Sequence, residues 1–480
     1  MNVLILGAGQ VGRTVLKTLS ADPNMTITMV DIDGQALEDL GNVHSCNTIT
    51  GHASSPNVLR KAGIEDADAL IAVTASDEVN LIACQVALTL HDTPRRIARI
   101  RNINYLKDGH ERLFASGGIP VDEPISPELA VVEHLTKLIS FQGAHYVTEF
   151  ADGNLIMTCS QIHPDSHLVD VAAAEVSHVT SNRVDVVGLV RDAKLLPNLG
   201  AQTLRANDIA FILGTASDMH ARAQGLSGLL KPDRSIVIGG GGNIGMQLAA
   251  NIQKLKPTRT LKIIEPNEER AAQLGAVLKT GINLDVLHGD ATSEDFLRAN
   301  DVNDSDLYCA VTNNDLANIV SSLSATRLNV KRTLTLVQQV HYLESLANAG
   351  LGILISPQQV TANIIQGLVR ENTVTAFRHL PTFNLDVIEL KVQGNPETSR
   401  VVGKLPSQLK LPKGVHWACL VRNAEAVEPA GSGANVELYP ILGERAVDLL
   451  DGDRAILITE NSKATNAVEQ LFRAKAIKLF

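Results

Sequence analysis

The 480-residue sequence is poor in aromatic residues, only 3%, and its single tryptophan, Trp417, sits in an apolar strand, which excludes an aromatic cage for a quaternary cation. Basic residues are outnumbered, 42 Lys and Arg against 52 Asp and Glu, so a net charge of -10 argues against a nucleic-acid surface or adhesion to anionic lipid by bulk charge. Cysteine is scarce: Cys46, Cys84, Cys159, Cys309 and Cys419 lie far apart with no C-x-x-C spacing, as expected of isolated thiols in a reducing compartment. The fourteen histidines form no H-E-x-x-H or facial-triad spacing, and no G-x-S-x-G turn or Cys-His pairing offers a nucleophile. Apolar runs such as Asp68 to Val73 are far shorter than the roughly 18 residues a bilayer requires, so no transmembrane segment is expected. Without a basic n-region before the first strand, no signal peptide is expected either.

What is present begins at residue 1. Met1 to Leu6 is a short apolar run that reads as a buried parallel strand, followed by Gly7, Ala8, Gly9, Gln10, Val11 and Gly12. This is a G-x-G-x-x-G fingerprint: Gly7 permits a tight turn, Gly9 lets backbone approach a pyrophosphate, and Gly12 allows close helix–strand packing at a helix N-terminus. A second strand, Thr26 to Asp31, ends in a carboxylate placed to hold a ribose diol, followed by Ile32.

Alternating helices and strands continue. The pattern predicts helices over 34–41, 56–62, 78–90 and 127–139 and a further helix near 105–114, with strands over 45–50, 69–74, 96–100 and 119–122. The first 140 residues therefore resemble a six-strand doubly wound domain. From about 154 to 230 the texture changes to short strands typical of a small α+β module. Then the sequence repeats itself. Gly240, Gly241, Gly242, Asn243, Ile244 and Gly245 restate the glycine loop, and Glu265 stands where Asp31 did. Gly289-Asp290-Ala291 mirrors Gly51-His52-Ala53; Thr312, Asn313, Asn314 and Asp315 mirror Thr74, Ala75, Ser76 and Asp77; Ile355-Ser356-Pro357 mirrors Ile125-Ser126-Pro127. The expected fold class is α/β, two Rossmann domains each followed by a small α+β domain, divided as 1–140, 141–231, 232–375 and 376–480. Glu428 to Gly433 has no counterpart and reads as an exposed loop.

Two acid-ended Rossmann units with a G-[DH]-A turn and a V-T-x-x-D-x-x-N segment, each followed by a small module, resemble the cytosolic regulatory subunits of Trk-type potassium uptake systems. The large modules are similar to RCK N-terminal (KTN) domains and the small ones to RCK C-terminal domains. The resemblance spans essentially the whole chain. It implies a non-enzymatic subunit that binds NAD or NADH and ATP or ADP. It further implies a homo-oligomer, a tetrameric ring, bound peripherally at the cytosolic face of the inner membrane to an integral potassium-translocating subunit of the TrkH/TrkG type, without inserting into the bilayer. One departure is His52, where the second repeat keeps Asp290; if that acid shapes the adenosine pocket, ligand preference differs between the halves.

Each candidate has a plainer reading. The two glycine loops can be strand–helix turns without ligand, and Asp31 and Glu265 ordinary strand-end acids. Held to ribose hydroxyls, these acids repel a 2′-phosphate, which favours NAD(H) or an adenine nucleotide over NADP. Thr74, Ser76 and Asp77, with Thr312, Asn314 and Asp315, lie where open sheets bind ligands but equally read as helix N-caps. Arg99 and Arg101 alternate onto one strand face, and Arg13 follows Gly12; the resemblance favours a polyphosphate there, the second repeat offering Arg332, Thr333 and Leu334 instead. The alternatives are regulation of a proton-coupled potassium efflux system, which differs only in partner, and an NAD-dependent oxidoreductase, which the missing acid/base constellation disfavours.

Overall fold

A computed structural model describes the chain except residues 21, 107–109, 116, 177–183, 223–232, 256–258, 279–282, 340, 347–349, 371–372, 381, 424–435, 441–446 and 474–480. The predicted loop over 428–433 lies outside the described residues.

Strands that are apolar at nearly every position must be covered on both faces, and this chain covers them with helices. In β1 (Asn2–Leu6), Val3 to Leu6 are buried, and in β4 (Ala69–Ala72) all four residues are. With β2 (Thr26–Asp31), β3 (Asn47–Thr50), β5 (Arg96–Arg99) and β6 (Glu123–Ile125) they form a parallel sheet in the order β3-β2-β1-β4-β5-β6. Helices α1 (Gln10–Leu19), α2 (Gly34–Val43), α3 (Pro56–Lys61), α4 (Asp77–His91) and α5 (Pro127–Ser140) connect or follow these strands. The order reverses between β1 and β4, so the crevice above their carboxyl ends is the ligand edge of such a sheet.

Two expectations are corrected. The sixth strand is Glu123–Ile125, not 119–122, because Asp122 is taken by Arg96, whose backbone N and guanidinium both reach its carboxylate, and because Val121 N turns back to Ile119 O. Around 105–114 the described residues form two short 3-10 turns, Ile103–Leu106 and Glu111–Leu113. Local bonds such as Asn104 N to Asn102 Oδ1 (3.0 Å) divert the backbone from an α-helix.

Chain contacts divide the molecule into two units, Met1–Thr136 with Asp233–Gln366, and Lys137–Pro232 with Gly367–Phe480. Like therefore gathers with like, although the modules alternate along the sequence.

The second unit begins with β7 (Ala144–Phe150), β8 (Leu155–Gln161), β9 (Val184–Arg191), β10 (Lys194–Leu195), β11 (Ile209–Thr215) and α6 (Ala216–Arg222). The first unit resumes with β12 (Ser235–Gly239), β13 (Thr260–Glu265), β14 (Leu284–His288), β15 (Leu307–Ala310), β16 (Arg332–Leu336) and β17 (Ile353–Ile355), ordered β14-β13-β12-β15-β16-β17, the same as the first sheet. Its helices are α7 (Asn243–Leu255), α8 (Glu268–Val277), α9 (Glu294–Ala299), α10 (Asp315–Arg327), α11 (His341–Ser345) and α12 (Pro357–Val369).

The second unit's other half holds β18 (Val374–Leu380), β19 (Leu385–Lys391), β20 (Val415–Asn423), β21 (Val436–Pro440), β22 (Arg454–Thr459) and α13 (Ser462–Phe472). Its sheet order β18-β19-β22-β20-β21 is that of β7-β8-β11-β9-β10. The duplication extends to single ion pairs: Arg191 Nε donates to Asp208 (2.7 Å) as Arg422 Nε does to Asp453 (2.7 Å). The two small modules share one core, in which Phe150, Leu155 and Phe211 of the first pack with Val387, Val421 and Ile458 of the second. Above it, Arg454 bridges Asp152 (2.5 Å) and the buried Glu389 (3.3 Å), whose carboxyl is raised by burial against the pull of Arg454.

Among the described residues, no helix is long and apolar enough to cross a membrane.

Candidate nucleotide sites

Both glycine loops are shaped by what a side chain would strike. Gly7 has φ +108°, and a Cβ there would lie 3.0 Å from the Thr74 backbone; Gly240 has φ +116° against Thr312. A Cβ on Gly12 would come within 1.9 Å of Gly7 O, and one on Gly245 equally close to Gly240 O. Gly9 and Gly242 differ: a Cβ on either meets nothing within 4 Å. The turn glycines are thus demanded by packing, whereas the middle glycine of each loop borders open space at a helix N-terminus, where anions are favoured.

The strand-end acids close the loops. Asp31 Oδ2 accepts Ala8 N (2.5 Å) and its Oδ1 accepts Asp33 N (2.9 Å). Glu265 repeats this with Gly241 N (2.9 Å) and Asn267 N (3.0 Å). Each acid is therefore a clasp on its loop, with lone pairs left for a diol. Ile32, beside Asp31, is 72% exposed, a large apolar surface next to the carboxylate. Arg13 lies at the loop, but its Nε donates to Ala8 O (2.8 Å); the matching carbonyl of Gly241 takes Arg270 Nε (3.1 Å) from a different helix, α8.

At the G-[DH]-A turn, His52 and Asp290 do the same structural work. His52 Nδ1 lies 3.0 Å from Ser54 Oγ, and Asp290 Oδ1 accepts Thr292 N and Oγ1 at 2.8 Å each.

The V-T-x-x-D-x-x-N segment is largely consumed by the fold. Ser76 caps α4, accepting Val79 N (3.3 Å), and Asn314 caps α10, accepting Ala317 N (3.2 Å). Asp77 accepts Arg101 N and Asn102 N, and Asp315 accepts Gln338 N and Gln339 N, tying each helix start to the end of the fifth strand. Thr74 and Thr312 bond to Asn80 and Asn318, fully buried amides that sequence reasoning noted only as motif positions. Ala75 and Asn313, between these anchors, are exposed at the sheet edge.

The register also corrects a correspondence. Asn80 Nδ2 donates to Arg99 O (2.9 Å) and Asn318 Nδ2 to Leu336 O (3.0 Å), so the partners of Arg99 and Arg101 are Leu336 and Gln338, not Arg332 to Leu334. Arg332 instead lies at the strand's start, paired with Asp233 (2.8 Å). The second repeat thus has no cation at either position.

Arg99 Nε is buried and, among the described residues, has no hydrogen-bond partner. Burial and the charge of Arg101 hold its guanidinium below the usual range, while Asp77 and Glu128 pull it up. An orphaned guanidinium nitrogen at the carboxyl end of β5 fits an anionic group.

The family described as the TrkA-N domain matches residues 3–127 and 236–357, the two Rossmann copies. The "Trk system potassium uptake protein TrkA" of Haemophilus influenzae is 34% identical over 99% of both chains. That of Halomonas elongata is 36% identical over 98% of this chain and 99% of its own. This chain belongs to the TrkA family. Among solved structures it is similar to the GsuK channel, with a TM-score of 0.60 at 20% identity, covering 98% of this chain and 78% of that one. It is also similar to the GsuK channel bound to NAD, with a TM-score of 0.59. Membership accounts for the tandem architecture: the TrkA-N matches end at residues 127 and 357, the first residues of α5 and α12, and the small modules follow.

Proposed function

We propose that this TrkA-family chain is a cytosolic, non-enzymatic regulatory subunit of a potassium uptake system, binding NAD(H) and adenine nucleotides and gating a membrane-embedded potassium-translocating partner. The observation that carries the reading is the doubled loop, open at Gly9 and Gly242 and clasped by Asp31 and Glu265. The names of the relatives support the transport context, and the NAD-bound GsuK channel, similar in fold, supports the ligand.

In this reading Gly7 to Gly12 and Gly240 to Gly245 cradle phosphates, Asp31 and Glu265 hold ribose hydroxyls, and Ile32, His52 and Asp290 border the adenosine. Backbone at Ala75 and Asn313 closes the crevice, while Arg99 and Arg101 meet a longer phosphate tail at the first site. The nucleotide acts as an effector and supplies no bond chemistry. We carry the division 1–140, 141–231, 232–375 and 376–480 as the working domain scheme, the partner as a TrkH/TrkG-type subunit, and the assembly as a tetrameric ring at the membrane's cytosolic face. Moving such a ring from 1:99 to 99:1 requires about 5.5 kcal/mol of differential binding, or about 1.4 kcal/mol per chain over four chains. Modest nucleotide discrimination is then enough.

Thermal scanning of the full chain with ATP, ADP, NAD and NADH tests the reading, because a ligand of the folded state raises apparent stability. NADH and ATP are expected to raise the melting temperature. Asp31→Ala should weaken first-site binding about ten- to a hundredfold, the scale of a charged hydrogen-bond pair. Unchanged affinity would make Asp31 a clasp of the loop alone.

A further inference from the structure

The first turns of α5 and α12 reach the opposite copy's glycine loop. Glu128, one residue into α5, accepts Asn243 Nδ2 of the second loop through its Oε2 (3.2 Å). Gln358, one residue into α12, donates from Nε2 to Oε1 of Gln10 in the first loop (2.9 Å). Both follow the matching prolines Pro127 and Pro357, so the exchange is reciprocal and uses equivalent positions. Gln358 is only 8% exposed, and Ser356 Oγ fixes its amide by donating to Oε1 (3.0 Å). The exchange is unequal in charge: the second loop receives a carboxylate and the first a neutral amide.

The rest of each site deepens that inequality. Arg99 and Arg101 stand at the end of the first copy's fifth strand, with Asp77 already bound to the Arg101 and Asn102 backbone. Leu336 and Gln338 stand there in the second copy, with Asp315 bound to the Gln338 and Gln339 backbone. Glu128, bonded to Asn243 of the second loop, also pulls on Arg99 of the first copy electrostatically. At the second loop this carboxylate accepts the Asn243 side-chain amide at the start of α7, where its negative charge would repel added phosphate charge.

Building on the nucleotide-binding reading above, we propose that each Rossmann copy sets the other's nucleotide selectivity through one lent residue. Gln358 admits a polyphosphate tail at the first site, and Glu128 restricts the second to the less charged pyrophosphate of a dinucleotide. Two like unit charges about 10 Å apart at an effective dielectric constant of about 20 repel by roughly tenfold in an equilibrium constant.

The test uses the full chain with one site silenced at a time, Gly9→Asp for the first and Gly242→Asp for the second, since neither added Cβ strikes protein. Titration calorimetry with ATP and with NADH then reads the surviving site. Glu128→Gln, which keeps an acceptor for Asn243, should raise ATP affinity about tenfold in the Gly9→Asp background while changing NADH affinity less than about twofold. Gln358→Glu in the Gly242→Asp background should lower ATP affinity about tenfold, again with NADH little changed. Unmoved ATP affinity in both pairs, or equal shifts for both nucleotides, would overturn this inference alone. Binding of neither nucleotide by either parent would overturn it together with the proposed function.

Discussion

Replacing Asn80 with alanine is expected to destabilise the Rossmann unit by about 3 kcal/mol and to remove nucleotide binding at the first site. Its amide is fully buried, accepts Thr74 N (3.0 Å) and Thr74 Oγ1 (2.7 Å), and donates to Arg99 O (2.9 Å). Truncation leaves those three partners without the bonds, each costing about 1–3 kcal/mol when buried and unsatisfied, with partial recovery by relaxation. The same amide fixes the end of β4 against the end of β5, so its loss also releases the peptide after Thr74 and the strand that aims Arg99. At about 2–4 °C per kcal/mol for a unit of this size, thermal scanning should register a drop of roughly 6–12 °C. Asn318→Ala should behave alike in the second copy, because Asn318 makes the matching bonds to Thr312 and Leu336. A shift of less than about 2 °C for both would mean the node is not what holds the two strand ends together.

Gly12→Ala should have a comparable effect by a different route. Its Cβ would stand 1.9 Å from Gly7 O and 3.1 Å from Gly7 C, and both belong to backbone already fixed by Gly7 N donating to Val30 O (2.8 Å). Relief requires α1 to move away from β1. Overpacking against such a fixed group costs about 1–3 kcal/mol or more, so a melting temperature lowered by several degrees is expected together with a lost first site. Gly9→Asp is the informative contrast. It enters open space, so the fold should persist while the added carboxylate fills and repels the phosphate cradle. Equal destabilisation by the two variants would remove the distinction between turn glycine and ligand glycine.

The glycine loops, the strand-end acids and the duplication were legible because each is local: a short apolar strand, three glycines and a carboxylate at a fixed distance. The structure adds that the small modules repeat too, Arg191 pairing with Asp208 as Arg422 does with Asp453. Three things were not local. The counterparts of Arg99 and Arg101 depend on where Asn318 bonds, which no spacing in the fifth strand reveals; the basic Arg332 drew the alignment to the strand's start. The sixth strand moved because Asp122 is spent on Arg96, 26 residues away. The bond between Gln10 and Gln358 joins residues 348 apart, and the repeated Ser-Pro steps hinted only at equivalence, not at which loop the following helix would touch. Similarly, the T-x-x-D-x-x-N segment reads in sequence as ligand contacts or helix caps, and in the structure its side chains cap helices and latch strand ends, leaving Ala75 and Asn313 exposed.

The regulatory account stands on two separable nucleotide sites per chain. Calorimetric titration of the full chain with NADH and with ATP, repeated on Gly9→Asp, Gly242→Asp and the double variant, addresses that claim most directly. The account predicts that wild type binds both nucleotides, that each single variant loses one site while keeping its fold, and that the double variant binds neither. Nucleotide binding that persists undiminished in the double variant, or is absent from the wild type, would contradict it.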